Sequence, residues 1–309
     1  MKLTVLGGLG FIGSHLCRAL LKRGAAVRVF GRPYASHDLV QDIAPQLEIF
    51  EADIMQPREV IDVIAESELI IDLVHTTRPG SSMRDPAYDV TTNVASHVQW
   101  LQHLPETSVR RVMFISSGGT VYGIPQSVPI SEAHPTNPIC SYGITKLALE
   151  KYVSMYSELA GIRHTILRPA NVYGAGNRVN VGQGVIGVLA QRALRGEPLE
   201  VWGSGKTCRD YLYVDDLIEA VLALIEYDGS ENVFNISSGQ GHSVLDVIEM
   251  LRTVLGELPE VVHLPSREFD VPVNVLDSAR LTGATGWQPS VTLESGIPRV
   301  VRWLKETGI

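Results

Sequence analysis

Short apolar runs alternate with amphipathic segments through the first half of the chain. KLTVLGG (2–8), AVRVFG (26–31), LEIFEAD (47–53), LIIDLVH (69–75) and RVMFISS (111–117) read as strands. The fourth is nearly continuous in apolar residues, as expected of a parallel strand covered on both faces. FIGSHLCRALLKRG (11–24) spaces its apolar residues as a helix does and ends in Gly24, a C-cap candidate. PREVIDVIAES (57–67) opens with proline, which suits a first helical turn. Further helices are expected over 86–104 and 138–161, then a strand over RHTILRPAN (163–171). This alternation predicts an α/β fold with a doubly wound parallel sheet.

After about residue 172 the pattern loosens. Glycine-rich connections, GAGN (174–177) and GSGK (203–206), separate helices expected near 182–196, 214–227, 243–256 and 293–306. Short strands such as NVFNIS (232–237) lie between them. The expectation is a Rossmann domain over 1–172 and a smaller C-terminal α/β substrate lobe over 173–309, with later segments crossing back.

The bulk numbers narrow the classes. The chain has 309 residues and a formal net charge of −8. An acidic chain without a Lys/Arg run is a poor candidate for nucleic acid or an anionic membrane. Cys17, Cys140 and Cys208 are far apart, odd in number and without metal spacing, so no metal site is expected. They read as reduced thiols, and no apolar run reaches the ~18 residues of a membrane span. The expectation is a soluble, cytoplasmic protein.

Candidate chemistry begins at GGLGFIG (7–13), between the first strand and the first helix. Gly7 allows a tight turn, Gly10 a close approach of backbone to a pyrophosphate, and Gly13 close helix–strand packing. Phe11 and Ile12 lie in the same turn. A dinucleotide, NAD(P), is the expected cofactor. An acid ending the second strand would bind a ribose 2′-hydroxyl; here Gly31 stands there and Arg32 follows, which points to NADP. The other reading makes Arg32 a solvated loop residue. Asp53, with Ile54 beside it, either accepts from the adenine amino group or caps the helix entering at Pro57.

Tyr142 and Lys146, in YGITK (142–146), lie at i and i+4 on one helix face. A free phenol titrates near pH 10 and is a poor base at neutrality. A neighbouring ammonium stabilises the phenolate and brings it toward the working range. The competing reading is a surface tyrosine packed on a lysine stem.

Together, GGLGFIGSHL, SSGGTVYG, YGITK, LRPANVYG, RDYLYVDD (209–216), FNISSGQGHSV (234–244) and GWQPSVTLESGI resemble the extended short-chain dehydrogenases/reductases. Within them, the chain is most similar to the NAD-dependent epimerase/dehydratase family and its UDP-glucose 4-epimerase-like members. The resemblance implies that Tyr142 is the acid/base and Lys146 its electrostatic partner and a ribose ligand. It implies cofactor contacts from Thr76, Thr77 and Asn93, and diphosphate contacts from Asn171, Arg209 and Arg267. Arg209 could instead pair with Asp210 or Asp215, and Arg267 with Glu268 or Asp270. It further implies a homodimer through the helices near 86–104 and 138–161.

One departure stands out. Relatives carry a catalytic Ser or Thr three residues before the valine of V-Y-G; that position is Gly118. Ser117 or Thr120 is expected to supply the hydroxyl, with Gly118 lending room to the sugar; the rival reading is that Tyr142 works alone. The Asp-Glu pair of sugar 4,6-dehydratases is also missing, since Gly119 and Thr120 hold those places, so dehydration is disfavoured. The expected activity is nucleotide-sugar 4-epimerisation on a UDP- or dTDP-hexose. An NADPH-dependent 4-keto-6-deoxysugar reductase and a non-catalytic NAD(P)-binding regulator are the alternatives. Arg78, in HTTRPGSSMRD (75–85), hints at an unusual sugar such as an O-antigen precursor.

Overall fold

The structure, a computed structural model, describes residues 1–177, 184–266 and 271–308. The chain forms two compact units. The first comprises Met1–Val121, Thr136–Arg168 and Asp228–Phe234; the second comprises Tyr122–Pro135, Pro169–Tyr227 and Asn235–Ile309.

The first half builds β1 (Lys2–Leu6), β2 (Ala26–Gly31), β3 (Glu48–Glu51), β4 (Leu69–Asp72), β5 (Arg111–Ile115) and β6 (Arg163–Pro169). With the later β10 (Val233–Ile236), they form one seven-stranded sheet in the order β10-β6-β5-β4-β1-β2-β3. Every pairing from β3 across to β6 is parallel. The order reverses between β1 and β4. A doubly wound sheet opens its crevice at such a switch point, beyond the strand C-termini.

Helices α1 (Phe11–Lys22), α2 (Pro57–Ile64), α3 (Pro79–Arg84), α4 (Pro86–Asp89), α5 (Ser96–Leu101) and α6 (Ser141–Ala160) complete these crossovers. One core joins Leu6, Phe30, Ile70, Val112 and Phe114 of the sheet to Trp100, Leu101, Leu149 and Val153 of α5 and α6. Complete burial of side chains this large supplies the main driving force for the unit.

The helix expected over 86–104 is not continuous. Between α4 and α5 the backbone widens into a π-helix, Val90–Ala95. Side chains compete there for carbonyls an α-helix would use. Thr92 Oγ1 donates to Tyr88 O, Asn93 Nδ2 to Asp89 O, and Ser96 Oγ to Thr92 O. Such back-bonding loosens the regular ladder, and π-turns concentrate at functional places.

In the second unit, β7 (Asn171–Tyr173), β9 (Cys208–Tyr213), β11 (Gly241–Ser243) and β13 (Val273–Asn274) form one small sheet; β8 (Leu199–Trp202) and β12 (Val261–Leu264) form another. Around them lie α7 (Val185–Arg195), α8 (Val214–Glu226), α9 (Val244–Leu255), α10 (Ala279–Thr285) and α11 (Leu293–Thr307). Two buried carboxylates tie loops to these elements. Asp210 accepts from the backbone of Ser238, Gly239 and Leu276, and Asp216 from that of Ser290 and Val291. Among the described residues, no helix is long and apolar enough to cross a membrane.

Candidate active site

The glycine loop leaves β1 at Gly7, whose φ of 84° belongs to the left-handed region that glycine favours. A Cβ on Gly13 would lie 2.4 Å from Gly7 O and 2.6 Å from Gly8 Cα, so helix and turn could not close with any larger residue. Gly10 occupies the N-cap of α1 and offers no side-chain cap, and the first turn carries no acid. The leading N–H groups are therefore open to an anion, and the loop fits a dinucleotide pyrophosphate. Phe11 and Ile12 are half-buried beneath it.

Gly31 is buried at the end of β2, and the Leu9 side chain fills the place of its missing Cβ: Leu9 Cδ1 would lie 2.4 Å from it. No acid could stand there without displacing Leu9. Arg32 and Asp53 are exposed, and Ile54 is buried. Asp53 Oδ1 accepts from Met55 N, within the turn before α2; the N-cap of α2 is Gln56. The helix-capping role considered for Asp53 is thus replaced by a turn closed two residues on.

Tyr142 sits in the first turn of α6. Its ring is half-buried, and its backbone N donates to Ser82 Oγ at 3.0 Å. One turn on, Lys146 is buried and gives its ammonium to Ile115 O at 2.7 Å, with the charge 4.7 Å from the Phe114 ring centre. Burial draws Lys146 down to about 8, while the negative charges of Asp72, Glu150 and Asp89 work the other way. At neutral pH it remains mostly cationic. Burial pushes the Tyr142 phenol up, as do Cys140 and Asp89; the Ser117 side chain pulls it down.

That influence bears on the missing family hydroxyl. β5 ends at Ile115, and Ser117 O already accepts from Thr120 N and Val121 N as a helical turn does. Strand alternation, which would send Ser117 and Gly118 to opposite faces, no longer applies by residue 117. The Ser117 side chain eases ionisation of Tyr142, whereas Thr120 Oγ1 folds back to Ser117 O at 3.5 Å. The preceding Ser116 donates to Glu150 on α6, which also holds Arg168 of β6 at 2.6 Å in a buried pair. Gly118 is buried beside these hydroxyls.

The loop after β4 carries Thr76 and Thr77. Thr76 N donates to Asn93 Oδ1 at 2.8 Å, and its hydroxyl pairs with Thr92 at 2.6 Å. Thr77 gives its hydroxyl to Asp89, and Asn93 Nδ2 bonds the same carboxylate at 3.0 Å. Thr77 and Asn93 are buried and their side chains are spent on this network. The sequence reading passed over its two central members, Asp89 and His75. The only signal available was a lone acid four residues before Asn93 and a histidine closing an apolar strand.

In the second unit, Asn171 Nδ2 donates to Asp210 O at 3.2 Å. Arg209 donates to the carbonyls of Cys208 at 2.9 Å and Val271 at 2.5 Å. Asp210 is taken by Ser238 and Gly239, and Asp215 lies 3.9 Å from Arg299. Arg267 lies outside the described residues, as do Glu268 and Asp270.

A parallel sheet with a glycine turn at its switch strand, and a Tyr–Lys helix beside it, defines a short-chain-type dinucleotide-binding α/β protein. The chain belongs to the NAD dependent epimerase/dehydratase family, whose model matches residues 3–237. Its fold is similar to that of the UDP-glucose 4-epimerase of Thermotoga maritima, solved with UDP-glucose (TM-score 0.94, 32% identity, 100% of both chains covered). It is likewise similar to the Thermus thermophilus UDP-glucose 4-epimerase solved with NAD (TM-score 0.89, 29% identity, 99% of both chains covered). In sequence it is 29% identical to a dTDP-4-dehydro-6-deoxyglucose reductase of Escherichia coli, over 97% of this chain and 96% of that one.

Proposed function

We propose that the protein is a nucleotide-sugar 4-epimerase that keeps and recycles its bound NAD(P). The observation that carries the reading is the placing of Tyr142 and Lys146 one turn apart on α6, with the Ser117 side chain easing ionisation of the phenol, on the fold of a family whose solved relatives bind NAD or UDP-glucose. The cofactor, when bound, supplies the hydride acceptor and donor. Gly7, Gly10, Gly13 and the N-terminus of α1 are the groups that would hold its pyrophosphate.

Tyr142 Oη takes the proton of the sugar 4-hydroxyl and later returns it to the new 4-oxygen. Lys146 makes the phenolate affordable by its charge, and Ser117 Oγ steadies the reacting oxygen. Between the two proton transfers the 4-keto sugar turns over. Gly118 and Gly119 present bare backbone beside Ser117, which favours that turn. Asn171, Arg209 and Arg267 are assigned to the diphosphate. The exposed apolar side chains Ile144, Met155 and Leu159 share one face of α6, and Tyr88 and Val90 are exposed on α4 and the turn after it. They support a homodimer through these helices.

Mass spectrometry of nucleotide released by denaturing protein purified without added cofactor tests the recycling. Stoichiometric NAD or NADP is expected, followed by 4-epimer formation from a UDP- or dTDP-hexose without net cofactor change. A second reading, the 4-ketosugar reductase, is favoured by the Gly31–Arg32 pair and the similarity to the reductase. It predicts empty protein and net NADPH oxidation with a 4-ketosugar.

A further inference from the structure

A buried polar cluster stands behind Tyr142, and the proton chemistry above does not use it. At its centre is Asp89, fully buried at the end of α4. Its carboxylate accepts from Thr77, from Asn93 Nδ2 at 3.0 Å, from Ser141 Oγ at 2.7 Å and from Thr145 Oγ1 at 3.2 Å. Ser141 and Thr145 flank Tyr142 on α6, so Asp89 grips the turn that carries the phenol. Burial raises the Asp89 carboxyl, but the bonds from His75, Thr77 and Ser141 outweigh it and hold the group well below the usual carboxylate range. A charge is therefore kept under the tyrosine.

His75 links that charge to the ring itself. Its side chain is only 6% exposed, and Nε2 lies 3.5 Å from Asp89 Oδ1 and 3.5 Å from Thr145 Oγ1. Its ring meets that of Tyr142 edge-on, with centroids 4.6 Å apart and planes at 74°. Nδ1 is buried without a partner among the described residues. A buried ring nitrogen left unpaired has a cost, and its persistence calls for a role. Burial and the Lys146 charge draw His75 down to about 3, so it is neutral at working pH.

We propose that His75 and Asp89 form a positioning pair for Tyr142: Asp89 anchors the first turn of α6 and orients His75, whose ring fixes the plane of the phenol for proton transfer. The proposal rests on Tyr142 being the acid/base. Three contacts from three elements then hold one side chain: Ser82 of α3 on its backbone, Asp89 of α4 on both flanking hydroxyls, and His75 after β4 on its ring. The charged or titratable groups acting on the phenol are Cys140 and Asp89, with the Ser117 side chain working the other way; His75 meets its ring, and Lys146 lies one helical turn on. Neutral His75 adds no charge to the site. Asp89 opposes ionisation of the phenol and favours the charged form of Lys146.

The test uses the purified holoenzyme with its epimerisable sugar. His75→Leu is expected to lower kcat about tenfold with KM within about twofold, since ring orientation and not binding is lost. His75→Phe, which restores an aromatic edge, is expected to recover at least about a third of the wild-type kcat. Asp89→Asn is expected to move the acid limb of the kcat profile down by about one pH unit, because a charge opposing the phenolate has gone. Wild-type kcat in His75→Leu, or a kcat loss that His75→Phe does not recover, would overturn the positioning role. An unmoved acid limb in folded Asp89→Asn protein would overturn the charge role.

Failure of the underlying reading looks different: Tyr142→Phe would keep its rate, or wild type would turn over no sugar. The pair is then read directly. In protein labelled with 3-fluorotyrosine, the fluorine resonance absent from Tyr142→Phe reports this phenol. Its titration midpoint is expected to fall in Asp89→Asn, and an unchanged midpoint contradicts the proposal whatever the substrate.

Discussion

Ser117 and Thr120 were equal claimants to one hydroxyl role, and their effect on the Tyr142 phenol distinguishes them. The Ser117 side chain lowers the phenol of Tyr142, while Thr120 turns back on the chain. Ser117→Ala is therefore expected to lower kcat by roughly 10- to 1,000-fold, with Thr120→Ala near wild type, measured as the rate of 4-epimer formation. Tyr142→Phe removes the only proposed proton acceptor and should lower kcat by roughly 100- to 10,000-fold while leaving bound nucleotide in place. The Tyr–Lys pair was legible because i, i+4 spacing alone puts two side chains on one helix face. The course of the chain at Ser117 was not, because it depends on where β5 stops.

Helix α6 collects most of the chemistry on one inward strip: Tyr142, Thr145, Lys146, Leu149, Glu150 and Val153. Glu150 is its internal anchor, held by Arg168 and Ser116. A buried ion pair adds little against an apolar substitute, but losing one partner strands a charge. Arg168→Met is expected to cost about 3–5 kcal/mol in denaturant unfolding, and the double change with Glu150→Leu to recover part of it. The boundaries of α6 were close to those read from the sequence, since apolar periodicity and Gly161 mark them. The π-helix at Val90–Ala95 was not readable, because it arises from side-chain competition for carbonyls and leaves the apolar spacing almost intact.

Acid sensitivity belongs to the molecule as a whole. His75 is drawn to about 3 in the folded chain against 6.5 as its ordinary value. Between those values the unfolded chain holds a proton that the folded one lacks, so stability is full above about pH 6.5 and falls as pH drops. The slope from this residue approaches ~1.4 kcal/mol per pH unit near pH 5, and chemical denaturation of His75→Leu between pH 7 and 5 should show a slope smaller by about that amount. The expected dimer is open to an equally plain measurement. Leu159 is 74% exposed on the apolar face of α6. Leu159→Lys should shift the mass seen by light scattering from dimer to monomer without changing the far-UV circular dichroism.

Periodicity, glycine placement and short motifs were enough for the parallel sheet, the glycine turn, the Tyr–Lys pair and the family, because each is local or repeats at the period of its element. Four things needed the folded chain. Leu9 filling the space beside Gly31 turns an absent acid into a packing requirement. Beyond the end of β5 at Ile115, the Ser117 side chain acts on the phenol of Tyr142. Asp210 and Asp216 accept from loops far along the sequence. Asp89 gathers donors from Thr77 to Thr145, and His75 stands against Tyr142. Each is a contact between segments distant in sequence, and such contacts exist only once strand order and helix packing have brought their partners together.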